Sequence, residues 1–514
     1  MCALGTLNCN KYTQPKTSKI MKNRKRAPFG PHKISGVFLG ILLIGSHSAM
    51  AATDTMTAND PGGQTSFNTG TRWLSGIAPA PGTDYSTSTF EMRGIASGTF
   101  LGNSLTIPTT GALHGKINGT LTFSNGTGLF LNGGTIYQAN SFNSGNIFTI
   151  AGTITANAST TSFLNSAFGE SLDITGAIGG SGNLSIAGGG PITGVSFVKF
   201  SAANTLSGTV SVVSPGSMSD ATNRFLQLNN VNALQNATLA LTGGNSLVNL
   251  VSFTSASNTG AYNIGALSGA ANQALTDTAS TAVAISVGAN NVSTTYSGIL
   301  SGAGSLTKDG TGTLTLSGAN TYTGGTTVSA GKLIVNGNIS TTLVNGTGTL
   351  GGSSGTVGAL TVASGGTVAP GASGNSAGIL SAGNTVLQAG STLGMDINGS
   401  ALGTGYDQLN ITGTVSLANA LSLNLGGYTP VNNALFFILA NDGTDAVTGT
   451  FSNAPIDGST YTLGGQQFQI SYFGDSTGGT FTGGNDVVLM AVPEPGAALL
   501  GGFGMLALLR RRRK

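Results

Sequence analysis

Two serine-centred motifs are the first residues of this chain that could do chemistry. The spacing Gly-x-Ser-x-Gly occurs around Ser353 and around Ser376, and in hydrolases it holds a nucleophilic serine on a sharp turn between a strand and a helix. Such a serine needs a histidine base, and His114 is the one histidine after residue 51. With 83 glycines in 514 residues the motif is expected by chance, and neither copy leads into a helical pattern. We therefore interpret both motifs as turns and His114 as a surface residue, and we expect no catalytic residue.

Acidic residues offer a second chemistry, because carboxylates grouped with a lysine or arginine could act on a polysaccharide. They are scattered along the sequence at Asp84, Glu91, Glu170, Asp173, Asp277 and Asp309. Stacked coils could still bring distant charges such as Asp173, Lys199 and Arg224 onto one face. A carbohydrate-active β-helix enzyme, similar to a polysaccharide lyase, therefore remains the alternative to a chain without an active site.

The residues that could bind a metal ion or a sugar could instead have a purely structural role. Asp442 with Asp445, and Asp475 with Asp486, could bind calcium, but aspartates in such stretches more often cap turns. Trp73, the only tryptophan, could stack on a sugar, but an aromatic plug for the first coil is the favoured interpretation. We predict no metal site.

Cysteine chemistry is confined to the first residues. Cys2 and Cys9 both precede Met21, which we take as the true start of the protein. A chain beginning there has no disulfide, no thiolate metal site and no cysteine nucleophile. We expect no cofactor.

The C-terminal residues form a stop-transfer pattern. Pro493, Glu494 and Pro495 precede an apolar and glycine run over 496–509. Five cations follow, at Arg510, Arg511, Arg512, Arg513 and Lys514. Because cations are costly to move across a bilayer, the pattern predicts a short transmembrane helix whose C-terminus stays in the cytoplasm. This ending resembles the PEP-CTERM sorting tail of Gram-negative surface proteins. The resemblance implies cleavage at the Pro-Glu-Pro region by an exosortase-type enzyme.

The N-terminal residues have the three parts of a secretory signal peptide. Lys22, Arg24, Lys25, Arg26 and Lys33 form the basic part. An apolar helix is expected over 34–44, and Ala49 and Ala51 are the small residues that a signal peptidase recognises. We predict a signal peptide over 1–51 and a sorting tail over 491–514.

Charge excludes one class of function once both ends are removed. The formal net charge of +3 comes from the two termini, since residues 52–492 hold 7 cationic and 16 acidic side chains. No basic patch remains to hold a phosphate backbone, so we exclude nucleic acid as a partner.

Composition between the two ends is typical of an all-β protein. The chain is rich in glycine, and only 7% of its residues are charged. Strand-sized segments such as 104–107, 313–316 and 332–335 lie between Gly, Asn and Ser turns. A coil of short strands cannot bury its apolar face alone, so coils must stack. We predict a parallel β-helix or solenoid, with a β-sandwich array as the alternative.

One internal unit, residues 300–337, carries a recognisable signature. It reads Gly-Ser-Leu-Thr-Lys at 304–308, Gly-Thr-Leu-Thr-Leu at 312–316 and Ala-Asn-Thr-Tyr-Thr-Gly at 319–324. Strand alternation predicts Leu306, Leu314 and Leu316 inside. The unit is similar to the autotransporter-associated β-strand repeat. Ala203-Asn204-Thr205-Leu206-Ser207-Gly208 marks a degenerate copy over 178–213.

Residues after the repeat continue the pattern of short strands between turns. Two short motifs there resemble those that follow such repeats in passenger-type surface proteins. They are Val368-Ala369-Pro370-Gly371 and Tyr406-Asp407-Gln408-Leu409. We predict degenerate coils over 52–299 and a terminal solenoid and cap over 338–490. The sequence thus predicts an exported, non-enzymatic structural or adhesive protein of the cell surface or matrix. Its expected partners are a signal peptidase, an exosortase-type enzyme, the membrane and an extracellular polysaccharide.

Overall fold

Short parallel strands, stacked coil upon coil, make up the part of the chain that the computed structural model describes. That part is residues 53–492, without 62–64, 95–96, 117, 125–127, 140–144, 168, 190–195, 214–224, 244–248, 255–259, 373 and 375. The described residues form strands, bridges, bends and turns, which confirms the all-β prediction. The predicted signal helix and transmembrane helix lie outside the described residues. Within those residues, no helix has the length and apolar character needed to cross a bilayer.

The first sixteen strands build the N-terminal coils. They are β1 (Thr53–Thr55), β2 (Asp84–Ser86), β3 (Glu91–Gly94), β4 (Gly98–Phe100), β5 (Ser104–Pro108), β6 (Ala112–Gly115), β7 (Gly119–Phe123), β8 (Gly128–Asn132), β9 (Thr135–Gln138), β10 (Ile147–Ala151), β11 (Ile154–Ala156), β12 (Thr161–Ala167), β13 (Ser171–Ile174), β14 (Ile178–Gly180), β15 (Asn183–Gly189) and β16 (Phe197–Phe200).

The next fourteen strands pass through the recognised repeat. They are β17 (Thr209–Val213), β18 (Leu226–Leu228), β19 (Leu234–Thr242), β20 (Val251–Phe253), β21 (Tyr262–Gly269), β22 (Gln273–Ala274), β23 (Ala284–Val287), β24 (Thr294–Tyr296), β25 (Leu300–Ser301), β26 (Ser305–Lys308), β27 (Thr313–Leu316), β28 (Thr326–Val328), β29 (Lys332–Val335) and β30 (Asn338–Ile339).

The remaining strands complete the stack and close it. They are β31 (Thr342–Val344), β32 (Thr349–Gly351), β33 (Thr356–Val357), β34 (Leu360–Val362), β35 (Thr367–Val368), β36 (Ile379–Ala382), β37 (Thr385–Leu387), β38 (Thr392–Asp396), β39 (Gln408–Ile411), β40 (Val415–Leu417), β41 (Ala420–Asn424), β42 (Leu435–Asn441), β43 (Val447–Gly449), β44 (Thr460–Leu463), β45 (Gln466–Gly474) and β46 (Asp486–Ala491).

Each N-terminal coil contributes one strand to each of three parallel sheets. The coil β5-β6-β7 lies on the coil β8-β9-β10, so that β5 pairs with β8, β6 with β9 and β7 with β10, all in parallel. The same step repeats along the stack, as where β11 pairs with β14 and β13 with β16. This arrangement is a parallel β-helix, as the sequence predicts, because each strand meets its neighbour one coil further along the chain.

Coil length varies along the stack, and the end of the stack changes direction. Ser104 pairs with Gly128, whereas Thr326 pairs with Thr342, a shorter step along the chain. The last parallel strand of one sheet, β42, pairs antiparallel with β46, which in turn pairs antiparallel with β45. This antiparallel segment covers the edge of that sheet, which would otherwise present unpaired backbone groups. It also explains the longer apolar run in β42.

Alternation along each strand separates the core from the outer face. Met92, Leu113 and Ile136 are aligned on successive strands and fully buried. In the repeat, Leu306, Leu314 and Leu316 are also buried, which confirms their predicted inward orientation. Columns of aligned aliphatic side chains thus form one core that runs through the stacked coils.

Candidate functional site

The predicted processing residues fall outside the described part of the chain. These residues are Ala49, Ala51, Pro493, Glu494, Pro495 and the cations from 510 to 514. Their roles therefore remain predictions from the sequence.

The lysine of the repeat signature is a buried structural donor. Lys308 ends β26 on the inward side, and 1% of its surface is exposed. Its ammonium donates to the carbonyl oxygens of Asp309 at 2.7 Å, Gly310 at 2.9 Å and Ala330 at 3.1 Å. Three carbonyls therefore satisfy all three donors of the ammonium group. Burial lowers the pKa of Lys308, but its place within this ring of carbonyls gives it a role in packing two coils together.

The asparagine and tyrosine of the signature also face inward. The Oδ1 atom of Asn320 accepts the backbone N–H of Leu300 at 2.8 Å, and its Nδ2 donates to the carbonyl of Asn338 at 3.0 Å. Tyr322 is buried and shares a hydrogen bond with the hydroxyl of Thr326. The signature residues thus connect consecutive coils, and they do not form a ligand site.

The degenerate copy has the same backbone geometry as the repeat. The N–H groups of Thr205 and Leu206 both donate to the carbonyl of Ile178, just as those of Thr321 and Tyr322 both donate to Leu300. Leu206 is buried in the place that Tyr322 occupies in the repeat. A methyl group at Gly208 would collide with the Gly182 carbonyl, and one at Gly324 would collide with Gly304. The two segments therefore turn the same corner despite their sequence differences.

Ser353 and Ser376, the serines of the two Gly-x-Ser-x-Gly motifs, lie outside the strands at one corner of the stack. Ser353 is exposed, and its N–H donates to Asn336 at 3.2 Å. The hydroxyl of Ser376 accepts the N–H of Ala372 at 3.2 Å. The second motif ends at Gly378, which packs so closely on Gly371 that a side chain would not fit. Neither serine leads into a helix, so the two motifs lack the geometry of a nucleophile elbow.

Asp407 is a buried acid that connects backbone segments at the same corner of the stack. It is 1% exposed, and its two carboxylate oxygens accept the N–H of Gly378 at 2.7 Å and of Asp396 at 2.8 Å. Burial raises the pKa of Asp407 to about 7, although the two N–H donors oppose this shift. The Tyr-Asp-Gln-Leu phrase is therefore a structural element whose acid ties the end of the second serine motif to β38.

His114 is not a surface residue, so that prediction is wrong. Only 5% of its surface is exposed, because it lies on β6 between Arg93 of β3 and Tyr137 of β9, which are its in-register neighbours. Its ring stacks on that of Tyr137 with 3.8 Å between centroids. Nδ1 lies 3.0 Å from a carboxylate oxygen of Glu91, and Nε2 lies 2.7 Å from the carbonyl oxygen of Ala139.

Glu91 is the centre of this charged cluster. One oxygen accepts from Arg93 at 2.6 Å and faces His114, and the other accepts the hydroxyl of Tyr137 at 2.6 Å. Burial would raise the pKa of Glu91, but the hydrogen bonds from Tyr137, His114 and Arg93 outweigh it and hold the pKa at about 2. Burial also raises the pKa of Tyr137 and lowers that of His114. A fully ionised, fully paired Glu91 and a tyrosine that resists ionisation favour a structural clamp over acid–base chemistry.

Sequence spacing contains a signal that could have found this cluster. Glu91 and His114 are 23 residues apart, and Glu91 and Tyr137 are 46 apart. Each separation is two residues more than the one-coil and two-coil steps from Glu91 to Ala112 and Thr135. In a solenoid such a spacing places residues side by side. Composition alone does not show which residues become neighbours, because the coil length changes along the stack.

Of the charges predicted to meet on one face, the structure describes two as neighbours. Asp173 and Lys199 are in-register neighbours on β13 and β16, so the stacking does bring them together. A hydroxyl of Ser201 donates to Asp173 at 2.7 Å. Arg224 lies outside the described residues.

The paired aspartates near the C-terminal end act on turns and strand ends. Asp475 accepts the N–H of Gly478 at 2.8 Å, and Asp442 accepts that of Gly413 at 2.8 Å. The two oxygens of Asp486 accept N–H groups from Asn441 at 2.8 Å and Ser476 at 2.6 Å. The contact of Asp475 is the turn cap that the sequence favours, whereas Asp442 and Asp486 accept N–H groups from other segments of the chain. Among the described residues, no group of three potential ligands is arranged to hold a metal ion.

Trp73 closes the first coils. It is 3% exposed, its indole N–H donates to the carbonyl of Ser66 at 2.8 Å, and its ring packs edge-on against Tyr85. It pairs with Met56 in an isolated bridge. The interpretation of Trp73 as a plug is confirmed, and a buried indole cannot stack on a sugar.

The fold and the signature together define a solenoid that contains a passenger-type repeat. Two protein-family models match this chain: Passenger-associated-transport-repeat at residues 306–335, and PEP-CTERM protein-sorting motif at residues 491–514. The first match lies inside the repeat identified from the sequence, and the second coincides with the predicted tail. Both resemblances are thereby confirmed.

Two curated proteins are similar over part of the chain. Adhesin BmaC autotransporter of Brucella suis biovar 1 (strain 1330) is 44% identical over 103 residues, which is 18% of this chain and 3% of that protein. Extracellular serine protease of Serratia marcescens is 35% identical over 167 residues, which is 31% of this chain and 15% of that protein. The similarity therefore spans a small part of either relative.

Proposed function

We propose that this chain is an exported structural or adhesive protein without enzymatic activity, sorted to the cell surface or extracellular matrix of a Gram-negative bacterium. The observation that carries the proposal is the sorting motif at residues 491–514 behind a stacked β-helix. A β-helix offers long outer faces for contact. The similarity to an adhesin supports a role in attachment.

Processing partners follow from the two termini. A signal peptidase would cleave after Ala51, and an exosortase-type enzyme would act at Pro493, Glu494 and Pro495. The helix expected over 496–509 would hold the chain in the membrane until then, with the cations from Arg510 to Lys514 on the cytoplasmic side. The membrane contact is in this view transient.

Localisation in the native host tests the proposal. Replacing Pro493, Glu494 and Pro495 together by alanine should retain the protein in the cell envelope, whereas the wild type reaches the surface or medium. Pro79→Ala, a change of the same type in the body of the chain, is the control and should be sorted normally. Surface delivery that is unchanged by the triple replacement contradicts the sorting mechanism.

A carbohydrate-active enzyme is the second candidate, and the cluster around Glu91 is where its loss of function would be tested, although its pairing favours a structural role. This cluster combines an acid, a histidine, a tyrosine and an arginine on one face. The serine protease relative is a further reason to measure hydrolysis directly. Turnover of polysaccharide or peptide substrates by the purified protein, lost in His114→Ala or in Ser353→Ala with Ser376→Ala, would establish the enzyme. No turnover above buffer supports the non-enzymatic proposal.

A further inference from the structure

A polar groove lies on the outer face of the sheet that contains β2, β5, β8 and β11. Its volume is about 440 Å³, and its lining includes Asp84, Asn103, Ser104, Phe130 and Thr155. Strand alternation produces this lining, because Tyr85, Leu105 and Leu129 on the same strands point into the core. The groove therefore belongs to the rigid stack of the first coils.

Register arranges the groove in two columns. Asp84, Ser104 and Gly128 are aligned in one column. Thr106, Phe130 and Thr155 are aligned in the other. Because parallel strands are about 4.8 Å apart, Asp84 and Ser104 in the first column and Phe130 and Thr155 in the second offer side chains one strand spacing apart along the stack. Such a repeat suits an extended polymer better than a small compact molecule.

Gly128 makes room for an aromatic wall. A Cβ atom at Gly128 would lie 2.9 Å from the Cε2 atom of Phe130, so the phenyl ring occupies the space that a side chain would need. The ring is half-buried, which leaves part of its apolar surface in the groove. An aromatic surface beside polar groups matches the apolar C–H face and the hydroxyl rim of a sugar.

Asp84 supplies a pre-oriented acceptor. Its Oδ1 atom accepts from the hydroxyl of Ser104 at 2.6 Å and from the amide of Asn103 at 3.0 Å. Among the described residues, Oδ2 accepts no hydrogen bond. Two donors thus fix the carboxylate while one oxygen remains available, and a hydroxyl group is the partner that a free carboxylate oxygen takes.

Charge decides which polysaccharide fits. Lysine and arginine are absent from the described lining, whereas Asp84 is acidic. An anionic chain would meet a like charge and no cation, which is unfavourable. A neutral polysaccharide brings hydroxyl donors to Asp84 and the threonines and an apolar face to Phe130.

We propose that this groove binds a segment of a neutral polysaccharide, with Phe130 as the stacking surface and Asp84 as the main hydrogen-bond acceptor. The inference rests on the proposed adhesive function, since it names the ligand through which the displayed chain would attach. It assigns the contact to the first coils of the stack.

Affinity electrophoresis of the purified exported protein in gels containing dextran, glycogen, xylan or alginate tests the inference. Retardation is expected with at least one neutral polysaccharide and not with anionic alginate. Phe130→Ala and Asp84→Asn should each weaken the retarding interaction about tenfold, which corresponds to about 1.4 kcal/mol. Phe163→Ala is the matched control, because Phe163 is 40% exposed on a different sheet. Circular dichroism and surface localisation of each variant verify folding and export.

Each outcome has a defined meaning. Loss of retardation in Phe130→Ala and Asp84→Asn, with Phe163→Ala unchanged, supports the groove. Wild-type protein that none of the neutral polysaccharides retards, equal weakening by the control variant, or stronger retardation by alginate overturns it. A protein that reaches the surface but binds no neutral polysaccharide contradicts this inference alone, whereas a protein that is never exported contradicts the proposed function.

Discussion

Asn204 and Asn320 make the same two connections in different coils. Each Oδ1 accepts a backbone N–H from the coil before it, from Ile178 at 2.9 Å and from Leu300 at 2.8 Å. Each Nδ2 donates to a carbonyl in the coil after it, that of Ala233 at 2.8 Å and that of Asn338 at 3.0 Å. One buried amide therefore connects three coils, and the degenerate copy keeps this connection although it has lost the lysine and the tyrosine of the signature.

Alanine at either asparagine should destabilise its own three coils. Asn320→Ala leaves the buried N–H of Leu300 without its acceptor and the carbonyl of Asn338 without its amide donor, which costs roughly 1–3 kcal/mol, and Asn204→Ala should cost a similar amount. Hydrogen–deuterium exchange should accelerate in peptides containing Leu300 for the first variant and Ile178 for the second. Asn338→Ala, at an exposed side chain, is the control. A large effect at Asn320 with none at Asn204 would show that the two sites are not equivalent.

Lys308→Met should destabilise the repeat although methionine fills much of the same space. The three carbonyl oxygens that accept from Lys308 would lose a charged donor, and we expect a loss of roughly 2 kcal/mol in the free energy of unfolding. Lys199→Met, on the outer face, should change it by less than about 0.5 kcal/mol. Urea unfolding of both variants measures the difference. Equal stabilities would mean that Lys308 contributes only its aliphatic stem.

Stability should fall as the pH rises from about 4 toward about 7, because of Asp407. Burial raises its pKa from 3.8 to about 7, so in this range the folded protein binds a proton that the unfolded chain releases. Asp407→Asn should flatten the decline, while Asp84→Asn, at a half-exposed acid, should not. Urea midpoints measured at intervals across the range test this. A midpoint that rises with pH in this window would show that the N–H donors to Asp407 outweigh burial.

Glu91 should produce the opposite slope at lower pH. Its pKa is lowered from 4.5 to about 2, so the unfolded chain binds more protons in that interval and stability is lost as the pH falls through it. Glu91→Gln should remove part of this acid sensitivity and weaken the clamp on His114 and Tyr137. The same unfolding measurements extended to pH 2 provide the test, with Asp173→Asn as the comparison. If the loss of stability at low pH is the same in Glu91→Gln as in the wild type, the proposed clamp is contradicted.

Processing of the tail should be visible in the mass of the mature protein. Intact-mass spectrometry of the protein from its native host should give a C-terminus near residue 495, because the Pro-Glu-Pro region is the expected cleavage site. An N-terminus near residue 52 is expected in the same measurement. Exported protein that still ends at Lys514 would show that the apolar helix is a permanent anchor.

Much of the fold could be predicted because its signals are local. The segments 313–316 and 332–335 are strands with the predicted bounds, since alternating Thr and Leu in the first and β-branched Ile and Val in the second favour strands between glycine turns. The inward orientation of Leu306 and the plug at Trp73 follow from the same preferences. The sorting tail could also be predicted from the sequence, because its Pro-Glu-Pro motif, apolar run and cations follow one another directly in the chain.

His114 shows why the sites were harder to predict. Its burial depends on Arg93 and Tyr137, which lie on other coils, and no local pattern around residue 114 announces them. The same holds for Asp407, whose raised pKa depends on the close approach of a serine-motif turn to β38. The groove beside Phe130 likewise exists because a glycine is aligned with Asp84 two coils away.

The sequence by itself determined the all-β character, the stacking of coils, the repeat and the sorting motif at residues 491–514, because each depends on contiguous residues of suitable period or order. Only the tertiary structure decided which side chains meet. In a solenoid, neighbours are one coil apart, and coil length changes along this chain, as the pairs Ser104 with Gly128 and Thr326 with Thr342 show. Register therefore depends on the stacking of whole coils, and the charged clamp at Glu91, the buried acid at Asp407 and the outer groove all depend on register.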